Sequence, residues 1–109
     1  MAALLATVIA LTSPQAIVER AATVVGENPA YFSCIVERES EWNPQAIGDD
    51  GAAVGLWQWH LGSWEYVRDR MGLPTDDERD SPIESTRTAA YAIGVLGLDD
   101  WWTAAEGCR

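Results

Sequence analysis

Helix-start signals, in which a capping residue stands directly before proline, divide this chain into segments. The small polar side chain accepts a hydrogen bond from a free N–H group of the first turn, and proline fits the first helical position because no donor is needed there. These signals stand at Ser13-Pro14, Asn28-Pro29 and Ser81-Pro82. They predict helices over residues 14–25, 29–41 and 82–96. Glu84, three residues after Ser81, gives the last of these helices the sequence of a capping box.

The stretches between these signals complete a mainly α-helical prediction. Asn43-Pro44 ends the second helix, because a residue before proline avoids helical backbone angles. Residues 44–55 carry several glycines among small side chains, which indicates a loop or a short hairpin beside the second helix. A further helix is expected over 61–71, and a last helical turn over 99–106.

An apolar segment, residues 1–13, precedes the first helix, and we expect one folded domain over 14–109. The apolar run from Ala2 to Leu11 is shorter than the roughly 20 residues that cross a bilayer. No Lys or Arg precedes this run, and Pro14 lies close to the place where a secretory leader would be cleaved. We therefore expect a retained helix or strap packed on the domain, with a weak signal peptide as the alternative.

The charge balance excludes one class of partner. The chain has 17 acidic and 7 basic residues, a formal net charge of -10. Proteins that bind nucleic acid displace counterions from phosphates with a basic surface, and this sequence contains no basic stripe. We expect no nucleic acid partner.

The second predicted helix carries a carboxylate on an otherwise apolar face. Phe32, Ile35, Val36 and Glu39 are spaced i, i+3, i+4 and i+7, so their side chains lie on one side of the helix. Desolvation of a carboxylate raises its pKa, which is what a general acid needs near neutral pH. The periodicity alone leaves a second interpretation open, a structural glutamate that reaches solvent or pairs with an arginine such as Arg38 or Arg87.

The two cysteines, Cys34 and Cys108, also allow two interpretations. They are unrelated thiols, or they form one disulfide between an early helix and the end of the chain, which implies an oxidising compartment. Cys34 lies five residues before Glu39, roughly 140° around the helix, so a bridge would leave the Glu39 face free.

The segment RESEWNPQAIGDDGAAVGLWQW, residues 38–59, resembles the core of the soluble lytic transglycosylase (SLT) family. That family belongs to the lysozyme superfamily, together with goose-type lysozymes. Its pattern is a Glu-Ser pair that closes a helix, an aromatic residue, Asn-Pro, a glycine-bearing loop and Gly-Leu-x-Gln. The matching positions here are Glu39-Ser40, Trp42, Asn43-Pro44 and Gly55-Leu56-Trp57-Gln58. The resemblance implies a lysozyme-like helical fold, and in small secreted members a terminal Cys pairs with one just before the Glu-Ser motif.

The resemblance also implies roles for single residues. Glu39 would protonate the glycosidic oxygen. Ser40 would contact an N-acetyl group or orient Glu39, or only bond the backbone at its helix end. Gln58 would hydrogen-bond sugar in a cleft or brace the loop, and Tyr91 would lie near Glu39 or pack in the core. Among the tryptophans, Trp59 is our candidate for a ring that stacks on sugar, because aromatic faces suit the C–H edges of sugar rings, while most of the others are expected in the core.

A second carboxylate would be needed for hydrolysis of the two-carboxylate kind. Asp49 and Asp50 lie in the loop that follows and are the candidates, although an Asp-Gly pair is equally suited to a turn. His60 is the single histidine, and no metal-ligand spacing or nucleophile–histidine arrangement is present in the sequence. We expect neither a metal nor an organic cofactor.

These features predict an enzyme that cleaves peptidoglycan between N-acetylmuramic acid and N-acetylglucosamine, as a lytic transglycosylase. The alternatives are a hydrolytic muramidase and a catalytically silent lysozyme-like module that binds glycan or has a structural role. The predicted partner is the glycan strand, and the apolar N-terminal segment could bind a virion or envelope protein. The negative charge is unusual for an enzyme acting on an anionic wall. The predicted location is extracellular, in the cell envelope or on a virion.

Overall fold

The computed structural model describes residues 13–109 and confirms a mainly helical domain. The helices are α1 (Pro14–Val24), α2 (Pro29–Ser40), α3 (Leu61–Arg70) and α4 (Pro82–Gly94). Two short strands, β1 (Ile47–Gly48) and β2 (Ala53–Val54), lie between α2 and α3. Short 3-10 turns are formed by Asp49–Gly51, Asp99–Trp101 and Thr103–Ala105. Residues 1–12, on which the predictions of an apolar strap, a leader or a docking element fall, lie outside the described residues.

The predicted capping residues begin the helices. The Asn28 Oδ1 accepts from the Ala30 N–H at 2.9 Å, and the Ser81 Oγ accepts from the Glu84 N–H at 3.2 Å. The capping box at Ser81 is only half formed, because the Glu84 carboxylate turns to the buried Arg68 guanidinium at 2.8 Å. All four helices end one or two residues earlier than predicted, and the largest difference is in α4, which stops at Gly94. The predicted last turn forms two 3-10 turns.

The glycine-bearing loop folds as a short antiparallel hairpin, one of the two forms predicted for it. Ile47 pairs with Val54, and Gly48 pairs with Ala53. At the hairpin turn Asp49 and Asp50 both adopt left-handed backbone angles, with φ of 50° and 56°. Gly55, which follows β2, has a φ of 86°, and a Cβ at this position would collide with the Arg79 carbonyl oxygen. This glycine therefore allows the hairpin to lie close against the segment that leads into α4.

The core is built around α2 and a group of tryptophans. Phe32, Ile35 and Val36 of α2 are fully buried. Phe32 contacts Trp57 edge to face, with ring centroids 5.2 Å apart, and Trp57 contacts Trp102 in the same manner at 5.7 Å. Their indole N–H groups are satisfied, since Trp57 donates to the Thr86 hydroxyl and Trp102 donates to the Trp57 carbonyl. The tryptophans that fill the core thus fix the C-terminal segment against α2.

A disulfide joins Cys34 to Cys108, which are 74 positions apart in sequence, with their Cα atoms 5.7 Å apart. The C-terminal segment is held further by Arg38, whose guanidinium donates to the carbonyls of Ala104 and Glu106. No helix within residues 13–109 has the length and apolar character needed to cross a membrane.

Candidate active site

A cleft of about 150 Å³ lies at the C-terminal end of α2. The hairpin, the start of α3 and the C-terminal 3-10 turns form its walls. It is lined by Glu39, Asp49, Gln58, Trp59, His60, Ser63, Trp101, Trp102 and Thr103. A larger apolar groove of about 530 Å³ between α1 and α4 contains neither a carboxylate nor a histidine. Of these two cavities, the smaller cleft is therefore the one that carries groups for acid–base chemistry.

Glu39 projects into this cleft from the last turn of α2. The apolar stripe of Phe32, Ile35 and Val36 leads directly to it, so its side chain starts from the core side of the helix. The helix ends one residue after Glu39, and the chain turns away through Glu41 and Trp42, which have left-handed φ angles of 51° and 65°. Because the helix does not continue past this turn, no further helical residues cover Glu39, and its carboxyl group is open to the cleft.

The environment of Glu39 favours its protonated form. Burial is the main cause that raises the pKa of this carboxyl group, and the nearby Asp49 carboxylate raises it further, while His60 lowers it. Within residues 13–109 no arginine pairs with Glu39: Arg38 donates to backbone carbonyls, and Arg87 lies 3.5 Å from Glu84. The pairing proposed for a purely structural glutamate is thus not formed with either arginine.

The hairpin turn brings one of the two candidate aspartates to the cleft. The Asp49 Oδ2 lies 2.8 Å from His60 Nε2, and both residues line the cleft with Glu39. Asp50 is exposed and is not part of the lining. The consecutive left-handed residues turn the two carboxylates in different directions, which the sequence pattern could not resolve.

Ser40 and Gln58 make backbone contacts that brace the site. The Ser40 side chain is buried, and its hydroxyl donates to the Val36 carbonyl at 3.1 Å. Gln58 donates through Nε2 to the carbonyls of Ala46 and Gly55 at 3.1 and 3.0 Å, and it also lines the cleft. Gln58 therefore braces the hairpin and lies in the cleft wall, and its predicted hydrogen bond to sugar stays a prediction.

Trp59 and Tyr91, both considered for contacts near the substrate, are held by contacts inside the protein. Trp59 is 2% exposed, its indole N–H donates to the Ser85 carbonyl, and its ring packs edge to face on Trp64 and Trp102. It lines the cleft but is almost fully buried. Tyr91 lines the apolar groove instead of the cleft, and its hydroxyl donates to the Arg70 carbonyl at 3.4 Å. The structure therefore does not bring Tyr91 together with Glu39.

Trp101 is the exposed aromatic ring of the cleft, a position that the sequence pattern did not predict. It is 43% exposed, whereas its neighbour Trp102 is 7% exposed. The Trp101-Trp102 pair could have indicated an exposed ring. Neighbouring residues in a tight turn point in different directions, so the two rings rarely both fit in one small core. Among residues 13–109 no cluster of His, Cys, Asp and Glu is arranged to hold a metal ion.

Comparison with models of protein families gives a match to the transglycosylase SLT domain over residues 16–105. This range includes all four helices except the first two residues of α1, and it includes every residue that lines the cleft. A search of curated proteins gives no match to the chain.

Proposed function

The chain belongs to the transglycosylase SLT domain family, whose members cleave glycosidic bonds in peptidoglycan, and we propose that Glu39 is its catalytic acid. The bond proposed for cleavage joins N-acetylmuramic acid to N-acetylglucosamine. One observation carries the proposal: the cleft holds a partly buried carboxyl group with a raised pKa, and no arginine within residues 13–109 pairs with it. A carboxyl group that keeps its proton in this setting can protonate a leaving oxygen.

The proposed reaction needs one carboxyl group and no water. Glu39 donates its proton to the glycosidic oxygen as the bond from that oxygen to the anomeric carbon of N-acetylmuramic acid breaks. The N-acetylglucosamine end leaves as an alcohol, and Glu39 becomes a carboxylate. The hydroxymethyl group of the same muramic acid then attacks its own anomeric carbon, and its proton returns to Glu39. The product is an anhydro sugar, and the enzyme is regenerated without consuming water.

Hydrolysis is the second candidate, and the position of Asp49 favours it. The Asp49 carboxylate lines the same cleft as Glu39, and its contact with His60 fixes its direction. A carboxylate so placed could take a proton from a water molecule that attacks the anomeric carbon, and the product would then contain one water more. The left-handed backbone of Asp49 is equally suited to a hairpin turn, so the transglycosylase remains the proposal.

The location is also part of the proposal. Peptidoglycan lies outside the cytoplasmic membrane, and a disulfide persists in oxidising compartments. The Cys34–Cys108 bridge therefore supports a protein that acts in the envelope, outside the cell or on a virion. A catalytically silent glycan-binding module would share these features, so activity must be measured.

The test compares the wild type with Glu39→Gln and Glu37→Gln on purified peptidoglycan, at low and at high salt. Glu37 is the matched control, because it lies on the same helix two residues earlier and is exposed. Mass spectrometry of released fragments should show anhydro products from the wild type and from E37Q, and almost none from E39Q. Fragments heavier by one water would identify a muramidase. If the wild type releases no fragments at either salt concentration, the protein is instead a catalytically silent glycan-binding module.

A further inference from the structure

A row of exposed side chains leads away from the cleft along α3 and is not used by the proposed reaction. Trp101 lines the cleft and is 43% exposed, and Tyr66 of α3 is also 43% exposed. Their ring centroids lie 5.6 Å apart, with the planes tilted by 56°. The Arg70 guanidinium carbon lies 3.3 Å from the centroid of the Tyr66 ring. Trp101, Tyr66 and Arg70 are hereafter called the α3 shelf.

The α3 shelf is continuous with the cleft. Ser63, which lines the cleft, is followed by Tyr66 and Arg70 at i+3 and i+7, so the three share one face of α3. Seven residues of helix span about 10 Å. A glycan strand seated beside Glu39 and passing Trp101 would therefore meet this face of the helix as it leaves the cleft.

The α3 shelf carries a positive charge in an acidic protein. The chain has a net charge of -10, and in residues 13–109 the side chains of Arg68, Arg79, Arg87 and Arg109 all pair with carboxylates. Arg70, like Arg20 and Arg38, pairs with none within this range, and of these three it is the one that stands beside the exposed aromatic rings. Its guanidinium is held by the Tyr66 ring and donates to the Tyr66 carbonyl at 3.2 Å. The Arg70 guanidinium is thus already held in place before a ligand binds, and its remaining N–H groups are free to donate to an anion.

We infer that the α3 shelf is a subsite for glycan that carries peptide, with the Trp101 and Tyr66 rings against sugar and the Arg70 guanidinium on a stem-peptide carboxylate. This inference rests on the proposed function. Exposed aromatic rings offer apolar faces to the C–H edges of a sugar, and a guanidinium offers paired donors to a carboxylate. Peptide-bearing peptidoglycan supplies both groups on one strand, whereas a strand stripped of its peptides supplies only the sugars.

The test measures kcat/KM on two substrates: intact glycan strands, and the same strands after an amidase has removed their peptides. We expect Arg70→Gln to lower the ratio of the two values, intact over stripped, by roughly three- to tenfold, since an exposed charged hydrogen bond is lost. Trp101→Ala should lower kcat/KM on both substrates, with partial recovery in Trp101→Phe. Arg20→Gln and Ile83→Ala are the matched controls, because both residues line the apolar groove on the α1–α4 side.

A binding experiment separates failure of this inference from failure of the proposed function. In the Glu39→Gln background, calorimetry with peptide-bearing glycan fragments should show weaker binding when Arg70→Gln is added. If the wild type cleaves nothing but this difference is found, the proposed function fails and the subsite stands. An unchanged substrate ratio and unchanged binding in R70Q, or a W101A variant that matches I83A, would overturn the inference. Absence of binding by E39Q would overturn it as well.

Discussion

Removal of the Cys34–Cys108 disulfide should destabilise this domain by a large part of its free energy of unfolding. The bridge closes a loop between residues 74 positions apart. In the chain-entropy model, a loop of that size is worth about 4 kcal/mol, because the bridge restricts the unfolded chain. The total free energy of unfolding of a single domain is about 5–15 kcal/mol. The C-terminal turns that the bridge secures also carry the Trp101–Thr103 wall of the cleft.

The assay is equilibrium unfolding in urea, followed by tryptophan fluorescence, for the wild type, Cys34→Ala and the double variant with Cys108→Ala. With a slope of roughly 1–3 kcal/mol per molar urea, the midpoint should fall by about 2 M. The single and double variants should agree closely, since either one removes the bridge, and the reduced wild type should match both. A loss below about 1 kcal/mol in all three would refute the reasoning, because the tail would then be held by its other contacts.

Two further predictions concern charge. Activity that depends on protonated Glu39 should fall as the pH rises through the raised pKa of this group. Asp49→Asn removes a carboxylate that raises the pKa of Glu39, so its activity should fall at a lower pH than that of the wild type. His60→Ala removes a group that lowers the pKa of Glu39, so its activity should fall at a higher pH. Shifts in the opposite directions in pH–rate profiles would contradict this. Arg68→Ala should cost about 3 kcal/mol in urea unfolding, because it removes a buried side chain and leaves the partly buried Glu84 carboxylate with only its 3.5 Å contact to Arg87. Exposed Arg20→Ala is the control, and equal losses in both variants would refute the argument.

The helix starts could be predicted from the sequence because their causes are local. Asn28 and Ser81 cap helices with atoms two or three residues away. The second half of the capping box at Ser81 failed for a non-local reason: Glu84 is 16 residues from Arg68 in sequence, yet their side chains meet. A local motif cannot predict which distant cation will compete for its carboxylate.

The candidate site also has some features that follow from local sequence and others that depend on tertiary structure. The orientation of Glu39 follows from helical periodicity, and the hairpin beside it follows from the glycines. The choice between Asp49 and Asp50 depends on the backbone angles of one turn. Whether Trp59 or Trp101 offers its ring to the cleft depends on how several indoles share one small core, which requires the tertiary packing of α2, α4 and the C-terminal turns.

The most direct test of the central claim is a rate measurement on peptidoglycan in water labelled with heavy oxygen, with wild type, Glu39→Gln and the control Glu37→Gln. A general acid contributes about 10²–10⁴-fold to rate, so E39Q should lose at least about a hundredfold while E37Q retains the wild-type rate. The released anhydro fragments should contain no heavy oxygen. An E39Q variant within a few-fold of the wild type would contradict Glu39 as the acid, and heavy oxygen at the new sugar end would contradict the transglycosylase reaction.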